Sequence, residues 1–361
     1  MTTTTDLPAT QAPDPDRLNA LLGRVIGDLG ATTTAGGVVV GHRLGLYTAL
    51  ARGAATADEL AERTDTDPRY VAEWLAGQAA GGYVEHDPTT GAFAMTAEQA
   101  FALADPTGPL YLPGAFVLAL GALRAEPRIT EAFRTGAGMG WHEHDDDVVL
   151  GCELLFRPGY TANLVTAWLP ALDGVEDKLR AGGRAADVGC GLGASSVLLA
   201  QAFPAATVSA SDYHEESVRL ARTRAAEAGV ADRVQVEVAG AQSFAGTGYD
   251  LVATFDCLHD MGDPLGAARH IRGALAEDGV WLIVEPFAGA TTADNLTPVG
   301  RIYYSFSTFL CVPHAMSEGA NDALGNQAGE NSIGAVVEAA GFRTFRRVAE
   351  TPFNLVYAAQ P

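Results

Sequence analysis

Lysine is almost missing from this sequence. Lys178 is the only one in 361 residues, and with the arginines the basic total is 23 against 44 aspartates and glutamates. The resulting formal charge of −21 opposes binding to phosphate polymers and to anionic membrane surfaces. Cysteine is scarce too: Cys152, Cys190, Cys257 and Cys311 have neither metal-site nor disulfide spacing, which implies reduced thiols and a cytoplasmic setting. No apolar run reaches the roughly 18 residues of a membrane-spanning helix. The opening MTTTTDLPATQAPDPD has no basic region and no apolar stretch, so no secretory signal is read in it. Rich in Thr, Pro and Asp, residues 1–16 are expected to be disordered.

Hydrophobic residues make up 48% of the chain, enough for a sizeable core and two domains. Residues 17–52 read as one or two helices with a break near the AGG at 35–37. Thr56 and Glu59 form a capping-box pattern opening one helix, and Asp67 with Pro68 starts the next. Val71, Trp74 and Leu75 give that helix an apolar face; Gly81 and Gly82 end it, and two short strands follow around the turn DPTTG. Helix, helix, hairpin is the pattern of a winged helix, here spanning 17–104. A DNA reader would need basic and amide side chains on the second helix. It offers Arg69 and Gln78 beside Glu73, so packing or dimerisation is the better reading and nucleic acid is not expected as a partner. Residues 105–182 read as a helical linker that covers a pocket, with breaks at DPTGP and TGAGMG.

From 183 to 361 the periodicity changes. RAADVG, ATVSASD, VQVEVAG, YDLVATFD and GVWLIVEP are short apolar runs alternating with helical segments, which predicts an α/β domain with a doubly wound, mostly parallel sheet. Its ligand site is expected beyond the carboxyl ends of the strands. The first run leads into AADVGCGLGASS, where Gly189, Gly191 and Gly193 allow close approach of a ligand. Asp212, ending the second strand, is placed to accept both hydroxyls of a ribose. Asp187, inside the first strand, adds negative charge that disfavours a dinucleotide pyrophosphate and suits an ammonium or sulfonium, directly or through water.

The stretch ADVGCGLG resembles motif I of class I methyltransferases that use S-adenosylmethionine, and the likeness extends from about 184 to the C-terminus. It implies a Rossmann-like seven-stranded methyltransferase domain ending in an antiparallel hairpin, drawn from RTFRRVAE and FNLVYAAQP, with the winged helix before it. It places Asp212 on the ribose, Tyr213 against the adenine, and Ala241 and Gln242 at the adenine edge, where the family's usual acidic residue is missing. Phe255 and Asp256 fall where the fourth strand lines the cofactor pocket. YDLVATFDCLHDMGDP resembles plant-type small-molecule O-methyltransferases, which implies His259, followed by Asp260, as general base. RPGY, ADVGCG, FDCLHDMGDP and ETPFNLV are shared with an actinobacterial group of winged-helix methyltransferases. The resemblance implies a homodimer joined through the N-terminal domain and a small-molecule acceptor.

The histidine titrates in the range a proton acceptor needs. Its bland alternative is a strand-end residue that caps the next helix. GWHEHDDD, at 140–147, holds His142, His144 and four acids. The two histidines converge poorly on a helix, so the reading is an acidic loop over the pocket with Trp141 as a cover, and no metal site is assigned. Tyr303, Tyr304, Phe306 and Phe309 are acceptor-wall or core aromatics, and Glu285 is a pocket-facing candidate without a role. Oxygen transfer in specialised metabolism leads. Carbon or nitrogen transfer stays open, as does a winged-helix regulator that senses S-adenosylmethionine.

Overall fold

The computed structural model describes residues 12–320 and 323–361. Two units part between Asp105 and Pro106. Of the segment expected to be disordered, residues 1–11 lie outside the described residues, while Asp14 already caps a helix and corrects the reading for 14–16.

The first unit begins with α1 (Pro15–Arg43), whose Asp14 side chain accepts the amides of Asp16 and Arg17. The break expected at Ala35–Gly37 does not occur, and α1 runs through it. Gly37 serves packing instead: a Cβ on it would lie 2.8 Å from Gln78, and Trp74 donates its Nε1 hydrogen to the Gly37 carbonyl at 2.7 Å. After α2 (Leu46–Leu50) comes α3 (Ala57–Thr64), where the capping box forms, Thr56 accepting the Glu59 amide and Glu59 accepting that of Thr56. Asp67 and Pro68 open α4 (Pro68–Ala80), which buries Val71, Trp74 and Leu75. A two-stranded wing follows, β1 (Glu85–His86) against β2 (Phe93–Ala94), then α5 (Ala97–Leu103). The two α4 side chains with chemistry for base edges are both occupied. Arg69 pairs with Glu73 at 2.6 Å, and Gln78 is buried, accepting the Tyr47 hydroxyl at 2.5 Å.

The second unit starts with three helices, α6 (Pro113–Leu123), α7 (Glu126–Thr135) and α8 (Asp146–Asn163). Gly114, Gly121 and Gly151 let α6 and α8 approach closely enough for a Cβ to strike the opposite backbone. A π-helical turn at Leu164–Trp168 and α9 (Val175–Arg180) lead into the sheet. Its strands are β3 (Arg184–Val188), β4 (Thr207–Asp212), β5 (Val234–Val238), β6 (Tyr249–Phe255), β7 (Leu275–Pro286), β8 (Thr344–Glu350) and β9 (Asn354–Gln360). They lie in the order β5-β4-β3-β6-β7-β9-β8, all parallel except β9, which runs antiparallel to both neighbours. This is a seven-stranded methyltransferase-type sheet with its terminal hairpin. Between the strands run α10 (Ala194–Ala202), α11 (Glu215–Glu227), α12 (Pro264–Ala274), α13 (Pro298–Phe306), a π-turn at Ser307–Cys311, α14 (Val312–Ser317) and α15 (Gly329–Ala339). One apolar layer, with Trp168, Leu199, Leu251 and Leu282, fills one side of the sheet. Another, with Val252, Ile271, Trp281 and Ile333, fills the other. Order reverses at β3, flanked by β4 and β6, and the crevice over these three carboxyl ends is where such sheets bind ligands. No described helix is long and apolar enough to cross a membrane.

Candidate functional site

Residues 189–193 leave β3 in a turn that only glycine makes without strain. Gly189, Gly191 and Gly193 have φ of 74°, 51° and 76°. A Cβ on Gly189 would also stand 2.8 Å from the Cys257 sulfur. The amides of the turn are directed inward. Those of Gly189 and Cys190 go to the Ser211 carbonyl, that of Gly191 to Asp212 Oδ2 at 2.9 Å, and that of Gly193 to the Cys190 carbonyl.

Over this turn lies a cavity of about 220 Å³. Gly189, Gly191, Asp212, Tyr213, Ala241, Gln242, Phe255, Asp256 and Asp260 all stand on its wall, so the structure gathers most of the residues that the sequence singled out. Asp212 is locked at the end of β4, its two oxygens accepting the amides of Gly191 and His214, and burial pushes its carboxyl above the usual range despite those bonds. Gln242 donates to the Asp263 carbonyl at 3.2 Å. The Tyr213 hydroxyl accepts the Trp141 amide at 3.1 Å. Among the described residues, Asp256 is one of two non-glycines with positive φ, 52°. Its carboxylate accepts the Tyr160 hydroxyl at 2.7 Å and the Asn354 amide at 2.8 Å, and burial lifts its pKa to about 7.

Three expected site residues stand elsewhere. Gly193 is the N-cap of α10, behind the wall. Asp187 is fully buried beneath the turn, where its Oδ2 accepts the Ser195 and Ser196 hydroxyls at 2.6 and 2.5 Å, and burial raises its pKa to about 6. Its Oδ1 has no protein partner. A direct contact with a ligand in the cavity is therefore not what Asp187 makes; only the indirect form of that expectation stays open. His259 is likewise buried and off the wall, its Nδ1 lying 2.6 Å from Glu285 Oε2. Burial by itself lowers the pKa of this ring, but the adjacent Glu285 carboxylate and Cys311 raise it well above the ordinary value.

Several wall residues escaped the sequence reading. The α8 residues Val149, Cys152, Glu153, Phe156, Arg157 and Tyr160 form one face of the helix along the cavity. Their spacing of three and four in VVLGCELLFRPGY was the available signal. His314 and Glu318 close the cavity from above, the His314 ring lying parallel to Tyr213 with centroids 5.3 Å apart. The segment around Trp141 completes this roof. Trp141 Nε1 donates to Asp260 Oδ2 at 2.9 Å, the Met139 amide to the Pro313 carbonyl, and the Gly262 amide to Glu318 Oε2 at 2.7 Å. Three of the four acids of 140–147 are spent on arginines: Asp145 and Asp147 bind Arg124, and Glu143 binds Arg128. Among the described residues no three His, Cys, Asp or Glu side chains gather as a metal site. Tyr303, Tyr304, Phe306 and Phe309 are not on this wall. Tyr303 donates to the Phe353 carbonyl, and Phe306 and Phe309 pack against Leu118, Val148 and Leu310.

Residues 186–281 match a family described as methyltransferase domain, and residues 32–105 match an Rv2258c-like winged HTH domain. The chain is 34% identical over 131 residues to a 27-O-demethylrifamycin SV methyltransferase of Amycolatopsis mediterranei. That match covers 34% of the chain and 48% of the relative, so it spans about half the relative's length. Its fold is similar to that of mitomycin 7-O-methyltransferase, with TM-score 0.70 and 19% identity over 96% of this chain and all of the other. Human N-acetylserotonin methyltransferase in complex with S-adenosylmethionine gives TM-score 0.70 and 14% identity over 97% of this chain and 99% of the other. The chain thus carries a methyltransferase domain preceded by an Rv2258c-like winged helix-turn-helix domain.

Proposed function

We propose that this protein transfers a methyl group from S-adenosylmethionine to a hydroxyl oxygen of a small molecule, in specialised metabolism. The observation that carries the donor is the charge of the cavity wall. Glu153, Asp212, Asp256, Asp260 and Glu318 face it, and Arg157 is the sole arginine or lysine among the lining residues. A pyrophosphate would meet five carboxylates and a turn whose amides already bind protein oxygens, whereas a cationic donor is complemented. The donor supplies a methyl group on positively charged sulfur, which departs as a neutral thioether. Asp212 suits the ribose hydroxyls, Tyr213 and Gln242 the adenine, and the Gly189–Gly191 turn the chain between nucleoside and amino acid.

The chain's own part in the transfer is alignment, water exclusion and proton removal. The roof that joins Trp141 to Asp260 and Tyr213 keeps solvent from the reacting atoms, and ordered placement of both reactants supplies about 7–11 kcal/mol in favourable cases. His259 is the proposed proton acceptor. Its Nδ1 is held by Glu285, Cys311 lies against the ring, and the neighbouring Cys257 and Asp260 line the cavity. The names of the rifamycin and mitomycin relatives assign their transfer to oxygen, which favours oxygen over carbon or nitrogen here.

The regulator reading is weakened by the pairing of Arg69 with Glu73 and the burial of Gln78. A homodimer through the first unit is supported by α1, where Leu18, Leu21, Leu22, Val25, Ile26 and Leu29 form one exposed apolar stripe. Four free cysteines suit a reducing cytoplasm. Calorimetry with S-adenosylhomocysteine and with NADH tests the donor, and labelled S-adenosylmethionine with an extract of the source organism, read by mass spectrometry, finds the acceptor. Heat of binding with the first nucleotide and a labelled small molecule are expected. Uptake of NADH alone would overturn the proposal.

A further inference from the structure

Cys311 ends the π-turn at Ser307–Cys311, buried with Leu118, Val148 and Leu310. A thiol in such a place is ordinarily apolar filling. Here the sulfur has polar neighbours. Asn326 donates an Nδ2 hydrogen to it at 3.5 Å, and the ring of His259 lies against it. One loop reaches both residues, since the adjacent Gly325 amide binds the His259 carbonyl at 3.0 Å. Ser307, at the other end of the π-turn, accepts the Asn326 amide at 3.0 Å. Single π-turns are rare and frequent at functional sites, and this one brings both its ends to one asparagine.

The hydrogen bonds around the ring have a definite order. In a neutral imidazole one nitrogen donates and the other accepts. Nδ1 meets Glu285 Oε2 at 2.6 Å, so the ring carries its hydrogen there, and Nε2 is the nitrogen that remains for Cys311. A sulfur that accepts from Asn326 keeps its own hydrogen for the ring. Glu285 is fixed in turn, its Oε1 accepting the Leu258 amide at 3.0 Å. A chain thus runs from amide to thiol to imidazole to carboxylate, joining the π-turn to β7. Two more acids bear on the ring, Asp256 just after β6 and Asp260 on its own turn; Tyr160 and Asn354 engage the first, Trp141 the second. Cys152 of α8 bears on Cys311.

We infer that Cys311 is a positioning residue, its thiol and Glu285 together holding the His259 ring in one tautomer and setting how firmly it keeps a proton. In the imidazolium the bond reverses, Nε2 giving its hydrogen to the sulfur. Burial alone favours the neutral ring; Glu285 and then Cys311 outweigh it. Cys311 is off the cavity wall and acts through His259, so the inference rests on His259 being the proton acceptor proposed above.

Nitrogen NMR of the full chain with labelled histidine tests it, His259→Gln assigning the signal. The wild-type ring should carry its neutral-state hydrogen on Nδ1 and titrate above 6.5. Cys311→Ala and Cys311→Val, one smaller and one larger, both remove the donor. Each should lower the midpoint by about half to one pH unit, the equivalent of one hydrogen bond, and mix the tautomers. Cys311→Ser should restore most of the shift. In the assay with labelled S-adenosylmethionine and extract, the rise of rate with pH should move down by the same amount. An unchanged midpoint and tautomer in the Ala and Val variants overturns the inference, as does a midpoint that moves while the rate profile stays. Absence of labelled product with the wild type overturns the transfer reading instead, and the NMR midpoint still decides whether Cys311 governs the ring.

Discussion

Replacing Asp256 by Asn separates what this carboxylate costs the fold from what it does in the cavity. Asn accepts the left-handed conformation as readily as Asp, and its carbonyl still accepts the Tyr160 hydroxyl. The bond from Asn354 is disturbed, at about 1 kcal/mol. Against this stands the titration. Burial, the largest influence, places the native pKa at about 7, against 3.8 for an ordinary aspartate. The Tyr160 hydroxyl lowers it, the Glu285 carboxylate raises it, and His259 and the Asn354 amide lower it again. The native protein thus binds this proton more tightly than the unfolded chain, so the contribution is intact below about pH 4 and is lost as pH rises through 7. At 1.36 kcal/mol per pH unit the full loss is about 4 kcal/mol. Asn does not titrate and escapes it. Thermal unfolding of the ligand-free protein should therefore show the variant more stable than the wild type at pH 8 by about 3 kcal/mol, roughly 6 °C in Tm. The advantage shrinks to about 1 kcal/mol at pH 5.5. Titrating groups remote from Asp256 are common to both proteins and cancel in the difference, whereas Glu285 and His259, which couple to it, shift with the substitution. A Tm difference that stays the same at pH 5.5 and pH 8, or a variant less stable at pH 8, would refute the reasoning.

Three further outcomes follow from the geometry. His259→Gln should lower kcat by about 10²–10⁴-fold with donor affinity unchanged, and wild-type kcat should rise with pH through a value above 6.5, because only the neutral ring accepts a proton; unchanged kcat would remove the base role. Gly189→Ala meets both a φ of 74° and the Cys257 sulfur, so stability or donor affinity should fall by about 1–3 kcal/mol, measured by melting and calorimetry. Ile26→Glu, in the middle of the exposed α1 stripe, should shift the protein from dimer to monomer in light scattering; a wild type that is already monomeric would exclude the dimer.

How much of this could be read without coordinates depends on where the determining contacts lie along the chain. The helix caps at Thr56 and Asp67, the strand–glycine turn–helix at 184–202, and the alternation that makes the sheet are local, with their physics contained in a few neighbouring residues. The sequence alone therefore determined the α/β sheet, its winged-helix companion, and the strand ends that supply Asp212, Tyr213, Phe255 and Asp256 to one crevice. Three features were decided only by tertiary packing. Helix α1 continues through Gly36 and Gly37, and Trp74 and Gln78, some forty residues away, pack into the space that Gly37 leaves. His259 and Asp187 turn inward because Glu285 on β7 and the serines of α10 offer their polar atoms partners there. The face of α8 becomes cavity wall because that helix crosses the glycine turn, and its Glu153, Arg157 and Tyr160 look like ordinary helix residues until that crossing exists. A side chain's direction at a strand end or on a helix is set by whatever packs against it, and that is a property of the folded chain.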